Sequence, residues 1–451
     1  MIAPARVAAF HALRAIDNGS ADLPSALSHS RVRLTDERDR ALAAEIVTGT
    51  LRWQRSLDHL ITHFAKRPLI KLDVDIVTIL RLSLHQLMHL TRVPGSAVVD
   101  DAVDLARLTR KPSATGFVNA VLRSTIRQKT RLPLPSRPED STDRDAVLAY
   151  LGVTHSHPDW LVTRWLERYG FDATERWVRF NNDTPPLSLR VNRLRATRED
   201  ARRILADAGI ETDEAAVSPD GLIVVEGNPL RRPPDGLFFV QDEASQLVAL
   251  VADARPDERV LDLCAAPGGK TTAMAATMGD RGVIVASDVR PKRMRLLRDT
   301  VRLSGSRCTH VIQVPARGAL PFSDVFDCVL VDAPCSGLGT IRRDPDIRWR
   351  RQDGDLSVLA DAQIELLDRA AATVARGGRL VYATCSSEPE ENEQVVDRFL
   401  ERHGEFALSS TAATPALARF IDERGLFRTL PFAHGLEAFF AAVLVRRIDV
   451  R

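Results

Sequence analysis

Two apolar runs in the C-terminal half of this chain each end in a polar turn bearing a cysteine. They constrain the fold more than any other feature. The runs lie in Phe326-Asp-Cys-Val-Leu-Val-Asp-Ala-Pro-Cys335-Ser-Gly337 and Arg379-Leu-Val-Tyr-Ala-Thr-Cys385-Ser-Ser387. Apolar runs of this length, bounded by turn residues, read as buried parallel strands. A third run, Arg259-Val-Leu-Asp-Leu-Cys264-Ala-Ala-Pro-Gly-Gly-Lys270, ends in a glycine turn. Further strands are expected near Val283–Asp288, Val311–Val314 and Ala438–Arg446, with helical patterns between. Strand and helix alternating from residue 236 onward call for a doubly wound α/β sheet with right-handed crossovers. In such a sheet the carboxyl ends of the strands face one crevice, where ligands bind. Two thiols delivered to one crevice suggest covalent chemistry rather than packing.

The rest of the chain is organised differently. Its 451 residues exceed one ordinary core, so several domains are expected. Apolar residues recur at helical spacing in Val7, Phe10, Leu13 and Ile16, in Leu42, Ile46, Val47 and Leu51, and in Ile76, Leu80, Leu84 and Leu87. No strand pattern interrupts them, so residues 1–130 read as an all-α bundle. Thr35 to Arg38 offers a helix N-cap, and Gly116 to Arg123 opens a further helix. Residues 131–184 hold a proline-rich linker, Leu132 to Thr142, then helices resuming near His157. Residues 185–235 read as a small β-α-β insert, with strands Leu187–Asn192 and Gly221–Glu226 around a helix Thr197–Ala208. Residues 236–451 form the α/β domain.

Composition excludes several classes. Apolar content of 44% and charged content of 27% describe a globular chain. No apolar run reaches the ~18 residues a transmembrane helix needs. Arg6, His11 and Arg14 break the N-terminal apolar stretch, which reads as an amphipathic helix rather than a signal peptide. The five cysteines form no Cys-x-x-Cys pair, so neither a metal site nor a disulfide framework is expected. A cytoplasmic, reducing location follows. A net charge of +2 does not announce a nucleic-acid binder, nor does it exclude a local basic face.

Strand, glycine turn and helix N-terminus let backbone approach a ligand closely. A P-loop needs Gly-x-x-x-x-Gly-Lys-Ser/Thr, and Cys264 stands where the first glycine belongs. Gly-x-Gly-x-x-Gly is absent too, which argues against a nicotinamide oxidoreductase. Cys264 to Lys270 therefore suits a nucleoside cofactor without a pyrophosphate. Asp288 ends the next strand, near the position of a ribose-binding acid. The plain alternative is an ordinary turn with incidental glycines.

The thiolate, not the thiol, is the nucleophile, and a cysteine of pKa about 8.5 must be activated. Cys385 precedes Ser387-Glu-Pro-Glu390, which reads as a capping box opening a helix, with Glu391 and Glu393 in its first turn. Cys335 precedes a Ser-Gly turn and follows Asp332. Cys308 and Cys328 suit the ordinary fate of a small buried residue. The residues alone leave Cys335 and Cys385 nearly tied as nucleophile. Asp332 reads either as a strand-end turn acid or as an acid meeting a polar ring edge. Lys270 reads as a surface lysine or a site cation. Ile341 to Arg351 supplies arginines and Trp349, suited to phosphate contact and base stacking, or else a solvated charge run.

Cys264-Ala-Ala-Pro-Gly-Gly-Lys270, Asp332-Ala-Pro-Cys-Ser-Gly337 and Ala383-Thr-Cys-Ser386 resemble motifs of the RNA cytosine-5 methyltransferases of the Sun and nucleolar-protein group. Gln241 to Leu247 and Arg343 to Trp349 are similar to further segments of that family. The resemblance spans residues 185–446, with the motifs in the family's order. Phe117-Val-Asn-Ala-Val-Leu-Arg123 resembles the RNA-binding bundle of NusB, and bundle plus methyltransferase is the layout of the family's bacterial 16S rRNA members. The resemblance implies a Rossmann-like methyltransferase sheet. Cys264, Ala265, Ala266, Pro267, Gly268, Gly269 and Lys270 would bind S-adenosylmethionine, with Asp288 on its ribose. Asp332 would sit at cofactor and cytosine, Cys385 would be the nucleophile, and Cys335 would assist product release. The bundle and the small insert would grip RNA, with 16S rRNA as the expected substrate. A tRNA substrate and a non-enzymatic assembly factor are the alternatives. Two departures stand out. Where the family carries an acid after the third strand of the sheet, this chain has Pro315 or Ala316. The spacer from Leu430 to the last strand is also longer than usual.

This chemistry needs these residue types. Carbon 5 of cytosine is a poor nucleophile. A thiolate adding at carbon 6 makes the ring an enamine whose carbon 5 can attack an activated methyl group. An acid at ring nitrogen 3 stabilises the developing charge. The base must be unstacked to be reached, which suits single-stranded or looped RNA.

Overall fold

The computed structural model describes residues 2–231, 235–409 and 415–448. The chain divides into two compact units, residues 1–183 with 341–351, and residues 184–340 with 352–451.

The first unit is helical. Its main helices span Pro4–Asp17, Leu23–Arg33, Glu37–Arg52, Gln54–Ala65, Val74–His89, Gly95–Leu108, Thr115–Arg127 and Asp159–Asn182. Asp22, Asp36 and Asp73 each cap a helix by accepting backbone N–H bonds in its first turn. Val74–His89 carries Ile76, Ile79, Leu80, Leu82, Leu84 and Leu87 into the core and is buried on most of its faces. A helix apolar nearly all round belongs at the centre of a bundle. Trp165 and Trp177 stack at 4.4 Å between ring centroids.

Segment 341–351 belongs to this unit and does not form the exposed arginine face suggested by its composition. Arg348 is fully buried, and its guanidinium donates to the carbonyls of Ser156 (2.9 Å) and Asn181 (3.3 Å) and to Asn182 Oδ1 (3.0 Å). The Trp349 indole donates to Leu51 O at 2.6 Å, and Asp346 accepts from Leu23 N at 3.2 Å. Carbonyls at helix ends lack intrahelical partners, and a planar five-donor fork meets several of them at once. Lysine cannot do this. Arg348→Ala and Arg348→Lys are both expected to destabilise the unit by about 2–3 kcal/mol, through buried carbonyls left unpaired. All five tryptophans (Trp53, Trp160, Trp165, Trp177, Trp349) lie in this unit. Urea unfolding followed by tryptophan fluorescence therefore reads it selectively. An unchanged midpoint in both variants would contradict the assignment.

The second unit holds two sheets. The smaller comprises β1 (Ser188–Val191), β2 (Glu211–Glu214), β3 (Gly221–Glu226) and β4 (Phe238–Val240), in the order β2-β3-β1-β4. All its pairings are antiparallel. The expected β-α-β elements are β1, the helix Arg198–Asp207 and β3, to which β2 and β4 add edges. Leu189, Val191, Ala201, Leu205 and Leu222 form the core beneath.

The larger sheet comprises β5 (Arg259–Asp262), β6 (Val283–Asp288), β7 (Thr309–Gln313), β8 (Phe326–Asp332), β9 (Val374–Thr384), β10 (Phe406–Ser409), β11 (Phe427–Arg428) and β12 (Phe440–Arg446). The order is β10-β12-β9-β8-β5-β6-β7, with β11 beside β12. Strands β5 to β9 pair in parallel, whereas β12 runs antiparallel to β9, β10 and β11. Helices Glu243–Val251 and Gly269–Thr277 pack on one face through Leu247, Val248 and Met274, against Val260, Ile284 and Leu330. Helices Asp355–Ala371 and Glu393–Arg402 cover the other through Ile364, Leu367, Val395 and Phe399, against Leu261, Val329 and Val331. The chain leaves β5 in one direction for β6 and β7 and returns on its other side as β8 and β9. That reversal opens a crevice at the carboxyl ends of β5 and β8.

Candidate active site

Each strand around the reversal delivers a polar group at its carboxyl end. Strand β5 ends at Asp262 and runs on through Leu263 and Cys264 into the glycine turn. Leu263 N bonds to Leu330 O and Ala265 N to Ser287 O, both at 2.9 Å, so the turn is held by its neighbours in the sheet. Gly268 sits at φ +108°, and a Cβ there would lie 3.0 Å from Leu297 Cδ1, so the position calls for glycine. The helix Gly269–Thr277 starts here and places Lys270.

Lys270 Nζ donates to Asp332 Oδ2 at 2.6 Å and lies 5.7 Å from the Phe439 ring centroid. Burial opposes the ammonium, and the Asp332 charge and hydrogen bond outweigh it. Lys270 therefore holds its proton above the ordinary lysine range. A charge on Cys385 adds to the same effect. Lys270, Asp332 and Cys385 thus share one electrostatic neighbourhood.

The two thiols meet. Cys335 Sγ and Cys385 Sγ are 3.2 Å apart. The hydrogen bond with Cys385, then burial, push the Cys335 thiol well above the usual range. The other cysteines behave as inert small residues. Burial raises Cys264 and Cys308, and pushes Cys328 up to about 12. Gly339 closes the site from behind. Its N–H donates to Cys385 O at 2.9 Å, and a Cβ would fall 1.9 Å from Ala438 O, a space no side chain can share.

The expected capping box after Cys385 does not form. Ser387 Oγ turns to Glu388 Oε1 at 2.7 Å, a single 3₁₀ turn occupies Pro389–Glu391, and the helix starts only at Glu393. The cause is Glu391, which is buried rather than lying on a first helical turn. Its carboxylate accepts from Ser336 N (2.7 Å), Gln363 Nε2 (3.0 Å) and Ser386 Oγ (2.6 Å). The Glu393–Arg402 helix meets the Cys385 turn through its N-cap Asn392 instead, which accepts from Thr384 Oγ1 (2.6 Å) and donates to Ser386 O (3.0 Å).

Several groups escaped the sequence reading. Asp262 is 1% exposed, accepts from Thr271 Oγ1 at 2.6 Å, and leaves Oδ1 without a donor among the described residues. Burial, opposed by Thr271, raises its pKa to about 7. A raised folded-state value means stability is fully present below the ordinary carboxylate pKa and is lost as pH rises through about 7. Asp262→Asn is expected to melt higher than the wild type, by a margin that grows between about pH 5 and pH 8. A margin independent of pH would refute the assignment. Arg190, a lone cation in an apolar strand, donates to Gln241 Oε1 (2.6 Å), Gly269 O (3.1 Å) and Thr272 Oγ1 (2.7 Å). It ties the small sheet to the glycine turn. Its signal was that isolated charge; Glu391 and Asp262 gave none beyond being acids.

Asp288 ends β6 nearly buried. Its Oδ1 accepts from Arg290 N at 3.1 Å, and Arg293 Nε stands 3.5 Å from Oδ2. After β7 the carbonyls of Pro315, Ala316 and Gly318 accept from Arg369. That segment supplies no carboxylate. No group of three or more His, Cys, Asp or Glu among the described residues is placed to hold a metal, and no helix among them is long and apolar enough to cross a membrane.

A parallel sheet reversing over a glycine turn, with acids and thiols at its strand ends, is the architecture of a group-transferring enzyme. Comparison with known proteins specifies the group. Residues 249–445 match the family described as 16S rRNA methyltransferase RsmB/F, residues 3–127 the NusB family, and residues 157–231 the ferredoxin-like domain of RsmF/B-like methyltransferases. A protein of Bacillus subtilis (strain 168) named "Probable ribosomal RNA small subunit methyltransferase B" is 34% identical over 410 residues, 90% of either chain. A "Ribosomal RNA small subunit methyltransferase B" of Pseudomonas putida is 38% identical over 88% of this chain and 89% of its own. The crystal structure of PH0851 covers 98% of this chain and 99% of its own, with TM-score 0.80 and 29% identity. The chain belongs to the 16S rRNA methyltransferase RsmB/F family and is a methyltransferase enzyme.

Proposed function

We propose that this enzyme transfers a methyl group from S-adenosylmethionine to carbon 5 of a cytosine in 16S rRNA, through a covalent bond between Cys385 and carbon 6 of the base. The observation that carries this is the 3.2 Å approach of two thiols beside the Lys270–Asp332 ion pair. The names of the Bacillus and Pseudomonas relatives support ribosomal RNA over tRNA.

The site suits the cofactor. Asp262 Oδ1 is buried with no hydrogen-bond donor among the described residues, and Asp288 Oδ2 is buried with no hydrogen bond beyond its ion pair with Arg293 at 3.5 Å; the cofactor's hydroxyl or ammonium groups would supply donors. A buried acid left this under-satisfied is costly unless a ligand completes it. Cys264 to Lys270 would line the cofactor with backbone, Asp288 would take the ribose, and Asp332 would face cofactor and base. When bound, S-adenosylmethionine offers a methyl group on a positively charged sulfur.

The thiol pair divides the remaining work. Cys335 holds its proton, because its hydrogen bond to Cys385 raises its affinity for protons. Cys385 attacks as the thiolate, the nucleophilic form of a cysteine. Once its sulfur is bonded to carbon it carries no charge, and the main cause holding the Cys335 proton disappears. Cys335 becomes able to lose that proton to water and, as the thiolate, to take the one on carbon 5; the electrons of the carbon 5–hydrogen bond re-form the carbon 5–carbon 6 double bond, and Cys385 leaves as the thiolate. Lys270 keeps the Asp332 carboxylate in place where it would face the cofactor and base. The helical bundle and the small sheet would each bind RNA.

The test is transfer of labelled methyl to 16S rRNA, bulk tRNA and 30S particles, with 5-methylcytosine identified in the digested product. Label in 16S rRNA, free or in the particle, is the expected result. Label confined to tRNA, or to a base other than cytosine, would overturn the assignment.

A further inference from the structure

We propose that Glu391 is a positioning residue that sets the distance between the two thiols by tying both cysteine-bearing turns to one carboxylate. The inference rests on the pairing of Cys385 as nucleophile with Cys335 as its proton partner.

The two cysteines follow different strands, β8 and β9, and adjacent strands lie roughly 4.8 Å apart. Sulfurs at 3.2 Å require the two turns to hold their side chains toward each other. Glu391 is fully buried; two of its three donors come one from each turn, and the third comes from Gln363 in the helix Asp355–Ala371. Oε1 accepts from the backbone N–H of Ser336, the residue after Cys335, and Oε2 accepts from the hydroxyl of Ser386, the residue after Cys385. Ser336 Oγ and Ser386 Oγ are themselves 3.2 Å apart. Gln363 Nε2 donates both to Glu391 Oε1 and to the carbonyl of Pro334, the residue before Cys335, each at 3.0 Å. Tyr382, in β9, donates its hydroxyl to Glu391 O and to Gln363 Oε1, which fixes the clamp from below. Ionised carboxylate is acceptor-only, so all three donors are drawn inward. An amide of the same shape presents one donor edge, and one arm then meets a donor it cannot accept from. The backbone bond from Gly339 N to Cys385 O does not involve Glu391 and keeps the turns folded when the carboxylate is changed.

The full-length protein is tested as wild type, Glu391→Gln and Ser386→Ala. The first readout is the rate at which diamide, an azo oxidant, closes a Cys335–Cys385 disulfide. The two thiols give up two electrons and two protons, and diamide leaves as the hydrazine. Closure should slow roughly tenfold in Glu391→Gln and by less in Ser386→Ala, because a misplacement of about 1 Å is enough for changes of this size. The second readout is single turnover on RNA. The covalent protein–RNA species should persist longer in Glu391→Gln, with kcat reduced and KM for RNA unchanged. Wild-type rates of disulfide closure and adduct release in a variant that merely melts lower would show that the carboxylate serves the fold alone. If Glu391→Gln does not fold, Ser386→Ala carries the same comparison. If the wild type forms no adduct with RNA, the proposed function fails, while disulfide closure still decides the clamp.

Discussion

Cys385→Ala is expected to abolish methyl transfer and to trap no RNA, whereas Cys335→Ala is expected to form the RNA adduct and fail to release it. The two results differ because the thiols meet the same base at different stages. Loss of a nucleophile acting within a concerted unit reduces turnover by roughly 10⁴-fold or more. Loss of Cys335 leaves Cys385 without its hydrogen-bonded partner at 3.2 Å, yet the attacking sulfur remains. Addition to carbon 6 and methylation then proceed, and proton removal from carbon 5 becomes the barrier. Gel mobility under denaturing conditions distinguishes the outcomes, with a shifted protein–RNA band for Cys335→Ala and none for Cys385→Ala. The reverse pattern would exchange the two roles.

How much of this was legible in the sequence depends on what each element buries. The parallel strands were readable because both faces are covered and their runs are almost wholly apolar, as in Val329 to Val331 and Leu380 to Ala383. Strand β2 was not, because Glu-Thr-Asp-Glu lies at an exposed sheet edge and has no apolar alternation to betray it. Strands β10 and β11 are short and pair only at the antiparallel side of the sheet. The glycine turn, the two thiols, Lys270 and Asp332 were readable because each follows an apolar run or punctuates it.

Burial of charge was the blind spot. Arg348 looks in sequence like its exposed neighbour Arg350, and only the carbonyls gathered from Ser156 and Asn181 distinguish them. Glu391 looks like one acid in an acidic run, Glu388 to Glu393. Its role arises from Ser336 and Gln363, 55 and 28 residues away. A one-dimensional pattern reports which residues avoid water. It does not report which polar groups enter the interior because partners await them there. The capping-box reading failed for the same reason, since a local rule lost to longer-range hydrogen bonds.

Asp332→Asn is expected to be the most destabilising change in the site, by about 2–4 kcal/mol, because it leaves the buried Lys270 ammonium without its counter-charge. The side chain of Lys270 is 11% exposed and that of Asp332 30%. The lysine therefore depends on the pair more than the aspartate does. Lys270→Met should cost less, about 1 kcal/mol, since water reaches the stranded carboxylate. The double variant should recover much of the loss of Asp332→Asn, because an apolar side chain is tolerated where an unpaired cation is not. All three should lack activity, so stability and function separate in one set of proteins. The pH dependence supplies the sign. In the wild type Asp332 raises the lysine pKa, so the pair's contribution is fully present below the ordinary lysine value of about 10.4 and is lost as pH rises through the folded value. In Asp332→Asn only burial remains of the two main opposing effects, and the folded value drops below the unfolded one. That variant should regain stability as pH rises toward 10.4, so its Tm deficit narrows from about pH 7 to pH 10. A constant deficit, or a double variant no more stable than Asp332→Asn, would mean that Asp332 is held in place by something other than Lys270.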